Sequence, residues 1–437
     1  MSNNLHKWFD NNERGTLRKS RWKTVLMLLV PVGVLIVIVL YLTPYFRNPW
    51  PLFRHPVSTM TSFSGPDRWQ TSGGDSAHTR HSPGNTAISG SVRWSLALAG
   101  SLPSSPVTAD GIVYVGDVGR VIALKGEDGS VIWVYPTTGP VETTPALADE
   151  LIFFGLLDGR IIALDRLNGE VQWQYQTGNF IDNSPVVEKG VLYIGSADGN
   201  LYALDALNGK VIWKTAIGSS VRYSPSVRHD TLYAANNDNQ LFGLDARTGA
   251  QRLLFLVSSL LNDAPVITGD LVHFVPADGK LYTLSHHART YPGSLFIKRL
   301  WAQLWVMGIP IPRPTAQAGS MGRIVSPHQP GRFISSPAVT PERLFIGDHL
   351  GWCYALDATR RTVLWEFNAE SAITTAPITV GDQVYFGSQG GFLYSLQQAD
   401  GHLLHKIYLG APLTANLAYS GGTMFARTMD GRLHAID

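Results

Sequence analysis

Marked as apolar and polar positions, the chain from about residue 92 onward is a succession of short apolar runs broken by turn residues. Over residues 184–217 the runs are SPVVE, VLYIGS, LYALD and VIWKTAI, separated by Lys189-Gly190, Asp198-Gly199 and Asn208-Gly209. Runs of this length, rich in Val, Ile and Tyr, read as strands. Asn-Gly and Asp-Gly favour tight hairpin turns, because both residues accept positive φ. The pattern predicts four antiparallel strands in about 40 residues.

The unit then repeats. SPVVEKGVLYIGSADGNLYALDALNGKVIW from Ser184 aligns with TPALADELIFFGLLDGRIIALDRLNGEVQW from Thr144 and SPAVTPERLFIGDHLGWCYALDATRRTVLW from Ser336. Its proline recurs at 106, 145, 185, 225, 265, 337 and 377, with Asn416 in the eighth place. Its turn glycine recurs at 119, 159, 199, 279, 351, 391 and 431, with Asn239 in the missing slot. One four-stranded sheet cannot bury both faces, so adjacent copies must stack. The expected fold is all-β: an eight-bladed β-propeller over 69–437. The eighth repeat lacks its fourth strand. VRWSLALAG from Val92 matches VIWKTAIGS from Val211, so an N-terminal strand is expected to complete the last blade.

Residues that recur serve the shared fold first. Trp94, Trp133, Trp173, Trp213 and Trp365 share one repeat position and are expected to pack between blades. Asp165, Asp205, Asp245, Asp357 and Asp437 precede turns, where a carboxylate accepts backbone N–H bonds. No catalytic residue is assigned among them.

Two features precede the repeats. Thr24 to Leu42 is an uncharged apolar run, long enough to cross a bilayer as one helix. Six cations precede it, from Lys7 to Lys23, while only Arg47 and Arg54 closely follow, which orients the N-terminus to the cytoplasm. The expected organisation is a cytoplasmic basic tail at 1–23, a transmembrane helix at 24–43, a Pro/Ser/Thr-rich tether at 44–68 and an extracytoplasmic propeller. A cleaved signal peptide is the rival; the run is too long for one and no small-residue cleavage site follows. The expected location is therefore the cell membrane, single-pass, with the propeller in the periplasm or at the cell surface.

Net charge is +2 and the repeats hold no long basic run, which argues against nucleic acid as a partner. The sole cysteine, Cys353, excludes a disulfide framework or a multi-thiolate metal site. His273, His286 and His287 are the most metal-like group, but adjacent strand histidines point to opposite faces. No metal or other cofactor is expected.

The string SP-x-V, VYxG, DGxLYALD, NGxxxW resembles the pyrroloquinoline-quinone-type propeller repeat, and Trp69 to Thr79, WQTSGGDSAHT, is similar to the lead-in found in that group. The resemblance implies the fold and two kinds of function. One is quinone-dependent dehydrogenation; the other is non-catalytic assembly work, as in BamB-like propellers. The vicinal cysteine pair and haem motif that the dehydrogenase kind often carries are lacking. The expected function is a non-catalytic scaffold for envelope or membrane proteins, with a dehydrogenase or a small-ligand sensor as alternatives.

Polar positions that do not repeat are the candidate contacts. Where the chain enters the innermost strands, Glu142, Asp182, Asn183, Arg222, Tyr223 and Asp263 predict a mixed-charge rim around a central channel. The one spacing of 72 marks an insertion in the fifth blade, at 288–320. Phe296, Ile297, Leu300, Trp301, Leu304 and Trp305 lie in a segment with a helical apolar stripe. Residues 295–310 are too short to span a bilayer and suit a membrane-surface or docking helix. The chain is expected to return to the blade at Arg323-Ile324-Val325.

Overall fold

The tight turns close as their residues dictate. In a computed structural model describing residues 31, 54–62, 65, 67–84, 86, 88–290, 294–312 and 317–437, Lys189 and Gly190 take φ of 49° and 76°. Asn239, in the slot where other repeats have glycine, takes 58°. Residues 51–437 form one compact unit. It contains eight four-stranded antiparallel blades, two of them extended by an extra short strand.

The third blade shows the plan: strands Val186–Glu188, Val191–Gly195, Asn200–Asp205 and Val211–Ala216, paired in sequence order. A bulge between Ala203 and Leu204 recurs at the matching place in the other blades, as at Ala123/Leu124 and Ala355/Leu356. Bulges increase local twist, which turns the outer strand toward the next blade. There the tryptophans act. Trp94, Trp133, Trp173, Trp213 and Trp365 each donate Nε1–H to a carbonyl of the following blade, all at 2.9 Å. The turn glycine of that blade lies against the ring: a Cβ on Gly209 would come within 2.7 Å of Trp173.

The ring closes as expected. Val92–Ala97 pairs antiparallel with Arg432–Ile436 and supplies the eighth blade's outer strand. Across the seam between the eighth and first blades, Arg427 and Asp117 are both fully buried, 3.5 Å apart. Arg427 also donates to the carbonyls of Gly116 and Gly100, at 2.7 Å each.

Two registers differ from the sequence reading. Innermost strand Ala418–Ser420 corresponds to Ile378–Val380. Leu417, not Asn416, therefore holds the proline place, and Asn416 sits one earlier, accepting from the Ala376 N–H at 3.0 Å. In the fifth blade the outer strand is Ser320–Ile324, with Gly322 opposite Thr283 where tryptophan stands in other blades. The expected match at Arg323 was three residues late, because the apolar Ile324-Val325 imitates a strand start.

The segment before the ring is the largest departure. Residues 69–82 thread the inner ring. The carbonyls of Gln70, Ser76, Ala77, Thr79 and Arg80 accept N–H bonds from Leu147, Val227, Ile267, Val339 and Thr379, in the innermost strands of five blades. Arg68–Trp69 adds to the first blade and His81–Ser82 to the seventh. Within the stretch expected as a tether, Met60 is buried and Val57 donates its N–H to Asp205 at 2.7 Å. The expected basic tail at 1–23 and transmembrane helix at 24–43, Pro31 aside, lie outside the described residues. Among the described residues no helix is long and apolar enough to cross a membrane.

Candidate interaction surface

The six rim residues divide by what their side chains touch. Asn183 is spent on the fold. Its amide donates to the carbonyls of Gly195 and Val221 at 2.9 Å and accepts from Gly195 N–H at 3.0 Å. Thr143 does the same with its hydroxyl, donating to Gly155 at 3.0 Å. This position is therefore a latch between the entering chain and the second strand. Asp182 and Arg222 pair at 2.5 Å, the arginine half in solvent and the carboxylate almost buried. Tyr223 is half-buried, and burial raises its phenol pKa. Glu142 is half-buried as well. Asp263 faces inward: Arg80 reaches it at 2.6 Å from the axial thread. What the rim presents outward is Glu142, Tyr223 and the Asp182–Arg222 pair.

Beneath the rim the thread buries large side chains. Trp69, His78 and Arg80 have essentially no exposed surface. His78 Nε2 lies 3.1 Å from the Pro225 carbonyl, which can only accept, so that nitrogen carries the proton. Burial, reinforced by the Arg80 charge, holds its pKa down to about 4. Asp75 accepts from the N–H groups of Ala77 and Thr79 at 3.1 and 2.9 Å, bending the thread. Sequence reasoning found the lead-in but gave it no role. The Asp75–Thr79 turn motif was the available signal.

A quinone held in the middle of the ring would need an open, largely apolar cavity of some hundreds of Å³. The chain's own residues 69–82 line the innermost strands there, with Trp69, His78 and Arg80 buried. The single thiol, Cys353, is fully buried and pushed well above its usual range by that burial. The residues present do not fit an axial quinone. The histidines do not converge either. His273 is buried against Thr283 at 3.1 Å, His286 packs on Tyr233, and His287 is exposed beside Asp270 at 3.0 Å. Among the described residues no cluster of three or more ligand side chains could hold a metal ion. A cavity of about 380 Å³ opens at the rim, lined by Asn262, Pro330, Arg332, Phe333 and His349 among others.

The insertion leaves the fifth blade between its third and fourth strands and forms a helix at Ser294–Val306. Its flanks are fastened. Thr290 N–H donates to the Arg252 carbonyl at 2.9 Å, and Gln317 exchanges two bonds with Leu256, at 2.7 and 2.8 Å. Both cover the edge of the fourth blade's outer strand. Several of its apolar side chains face solvent. Ile297, Leu300 and Trp305 are 61%, 44% and 43% exposed; Val306 and Met307 exceed 75%. Trp301 and Leu304 are half-buried, Trp301 donating to Pro312 at 2.8 Å. Phe296 lies in the helix, its side chain outside the described residues. The stripe is thus real as a helix and does not fold into a blade.

The family model described as outer membrane protein assembly factor BamB matches residues 84–287 and 297–437. No curated protein matches the sequence. Among solved structures, BamB from Moraxella catarrhalis superposes with a TM-score of 0.61 at 17% identity, covering 79% of this chain and 99% of that one. Quinohemoprotein alcohol dehydrogenase from Comamonas testosteroni gives 0.64 at 16% identity, covering 84% and 80%. A computationally designed protein, Ika8, gives 0.61 at 16%, covering 78% and 98%. At such identities these likenesses concern the fold alone.

Proposed function

The chain belongs to the family of the outer membrane protein assembly factor BamB, and from that membership we propose a non-catalytic scaffold that binds other membrane or envelope proteins. Residues 24–43 cross the membrane once, 1–23 remain in the cytoplasm, and the propeller works outside it. The observation that carries this reading is the buried thread at the inner ring. With residues 69–82 bonded to the innermost strands, the rim and the insertion offer exposed side chains for recognition. Rigid loops around a closed ring suit protein recognition, and the half-exposed Arg222 and Tyr223 are residue types enriched at binding hot spots.

The test is affinity purification of the full chain from cross-linked, detergent-solubilised membranes, with Glu142→Arg and Arg222→Glu rim variants alongside. Discrete envelope proteins are expected with the wild type and depleted by the variants. Dye-linked alcohol oxidation on adding quinone and calcium, with no rim-dependent partner, would replace the scaffold by a dehydrogenase.

A further inference from the structure

The fifth-blade insertion differs from the rest of the ring in charge as well as in exposure. Within the insertion, 288–320, there is no Asp or Glu, and four residues are Lys or Arg. The rest of the ring, 69–287 and 321–437, holds thirty acidic and twenty-two basic residues. An acidic body therefore carries one basic, tryptophan-bearing projection. Ile297, Leu300, Trp305, Val306, Met307 and Ile309 form its exposed apolar surface.

The projection also has a defined side. In the third, fourth and fifth blades the turn after the third strand bonds to the turn after the first. Ala206 N–H reaches Gly190, Ala246 reaches Asp230 and His286 reaches Asp270. These turns lie at one end of the blades, and the insertion replaces one of them. The described N-terminal chain arrives at the same end. Arg54 donates to Val211 at 2.8 Å and the Gly190 N–H to Met60 at 2.6 Å. The eleven residues between the apolar run and Arg54 reach at most about 40 Å.

We propose that residues 294–311 lie on the outer leaflet of the anchoring membrane as an interfacial helix that prefers anionic lipid. The inference rests on the reading of 24–43 as a membrane anchor. A helix with exposed aliphatic side chains, two tryptophans and two cations has the composition of such elements, which sink about 5–10 Å into the headgroup region. Lys298 and Arg299 add attraction to a surface that carries anionic lipid. Contact at a second point fixes the tilt of the ring and sets which face partners meet.

The experiment uses the full chain in proteoliposomes with and without phosphatidylglycerol. A single environment-sensitive fluorophore is placed at Val306→Cys, or at Asn179→Cys on an exposed loop at the opposite end of the third blade; Cys353 is buried. The expected result is a blue shift and loss of emission with lipid-borne quencher at 306, strongest with the anionic lipid, and neither at 179. Emission at 306 that stays aqueous while the protein floats with the vesicles overturns the inference and leaves the anchor standing. Failure to float overturns both. A blue-shifted probe that lipid quencher does not reach means a protein surface covers the helix, which also overturns it.

Discussion

At the scale of the residue, the repeat spends its tryptophans on joining blades and its aspartates on closing turns. Asp205 accepts from Leu207 and Asn208 N–H at 3.0 and 3.2 Å, and Asp165 does likewise with Leu167 and Asn168. Trp213→Phe keeps the ring and removes its bond to Ala246. It should cost about 1 kcal/mol in urea unfolding, and Trp213→Ala about 3–5 kcal/mol through the added cavity. Arg427→Met leaves Asp117 buried without that partner, and should cost about 3–5 kcal/mol by the same measurement. Acid sensitivity follows from His78, His273 and His286, each held down to about 4, with burial the largest cause. Unfolded histidines bind protons below about 6.5, whereas these three do not until about 4. Unfolding thus takes up protons, and stability present above pH 6.5 falls as pH drops toward 4. Melting temperature measured across that range should decline, and less steeply in His273→Gln.

Elements that repeat were legible and elements that do not were harder to read. The blade strands and the closing strand at Val92 follow from local spacing and turn residues, which a sequence displays directly. The register errors at Asn416 and Arg323 arose where the marker residue, proline or tryptophan, is replaced. The role of the axial thread was hidden for another reason. Gln70 to Arg80 is polar and Gly-rich, and innermost strands from five blades converge on its backbone. The rim was half legible: the entry positions were found, but not that Asp263 answers Arg80 or that Asn183 latches Gly195. Excising residues 291–312 should leave the ring intact, since Thr290 and Gln317 hold the flanks. Circular dichroism should be unchanged and the melting temperature within a few degrees, while the lipid response is lost. Deleting 92–97 should instead expose the edge of Arg432–Ile436 and cause aggregation, measurable by light scattering.

For the whole molecule, closure is made twice, once at the perimeter by Val92–Ala97 and once at the centre by residues 69–82. The inner closure has a consequence in time. The thread is synthesised before every strand it binds, and Thr379, its last backbone partner among the five, lies about 300 residues later. At about 5–20 residues per second, Arg80 waits roughly 15–60 s for that partner to emerge. Throughout that interval the early blades are translated with their hub unfinished. The centre of the ring is first in the chain and among the last parts to be completed.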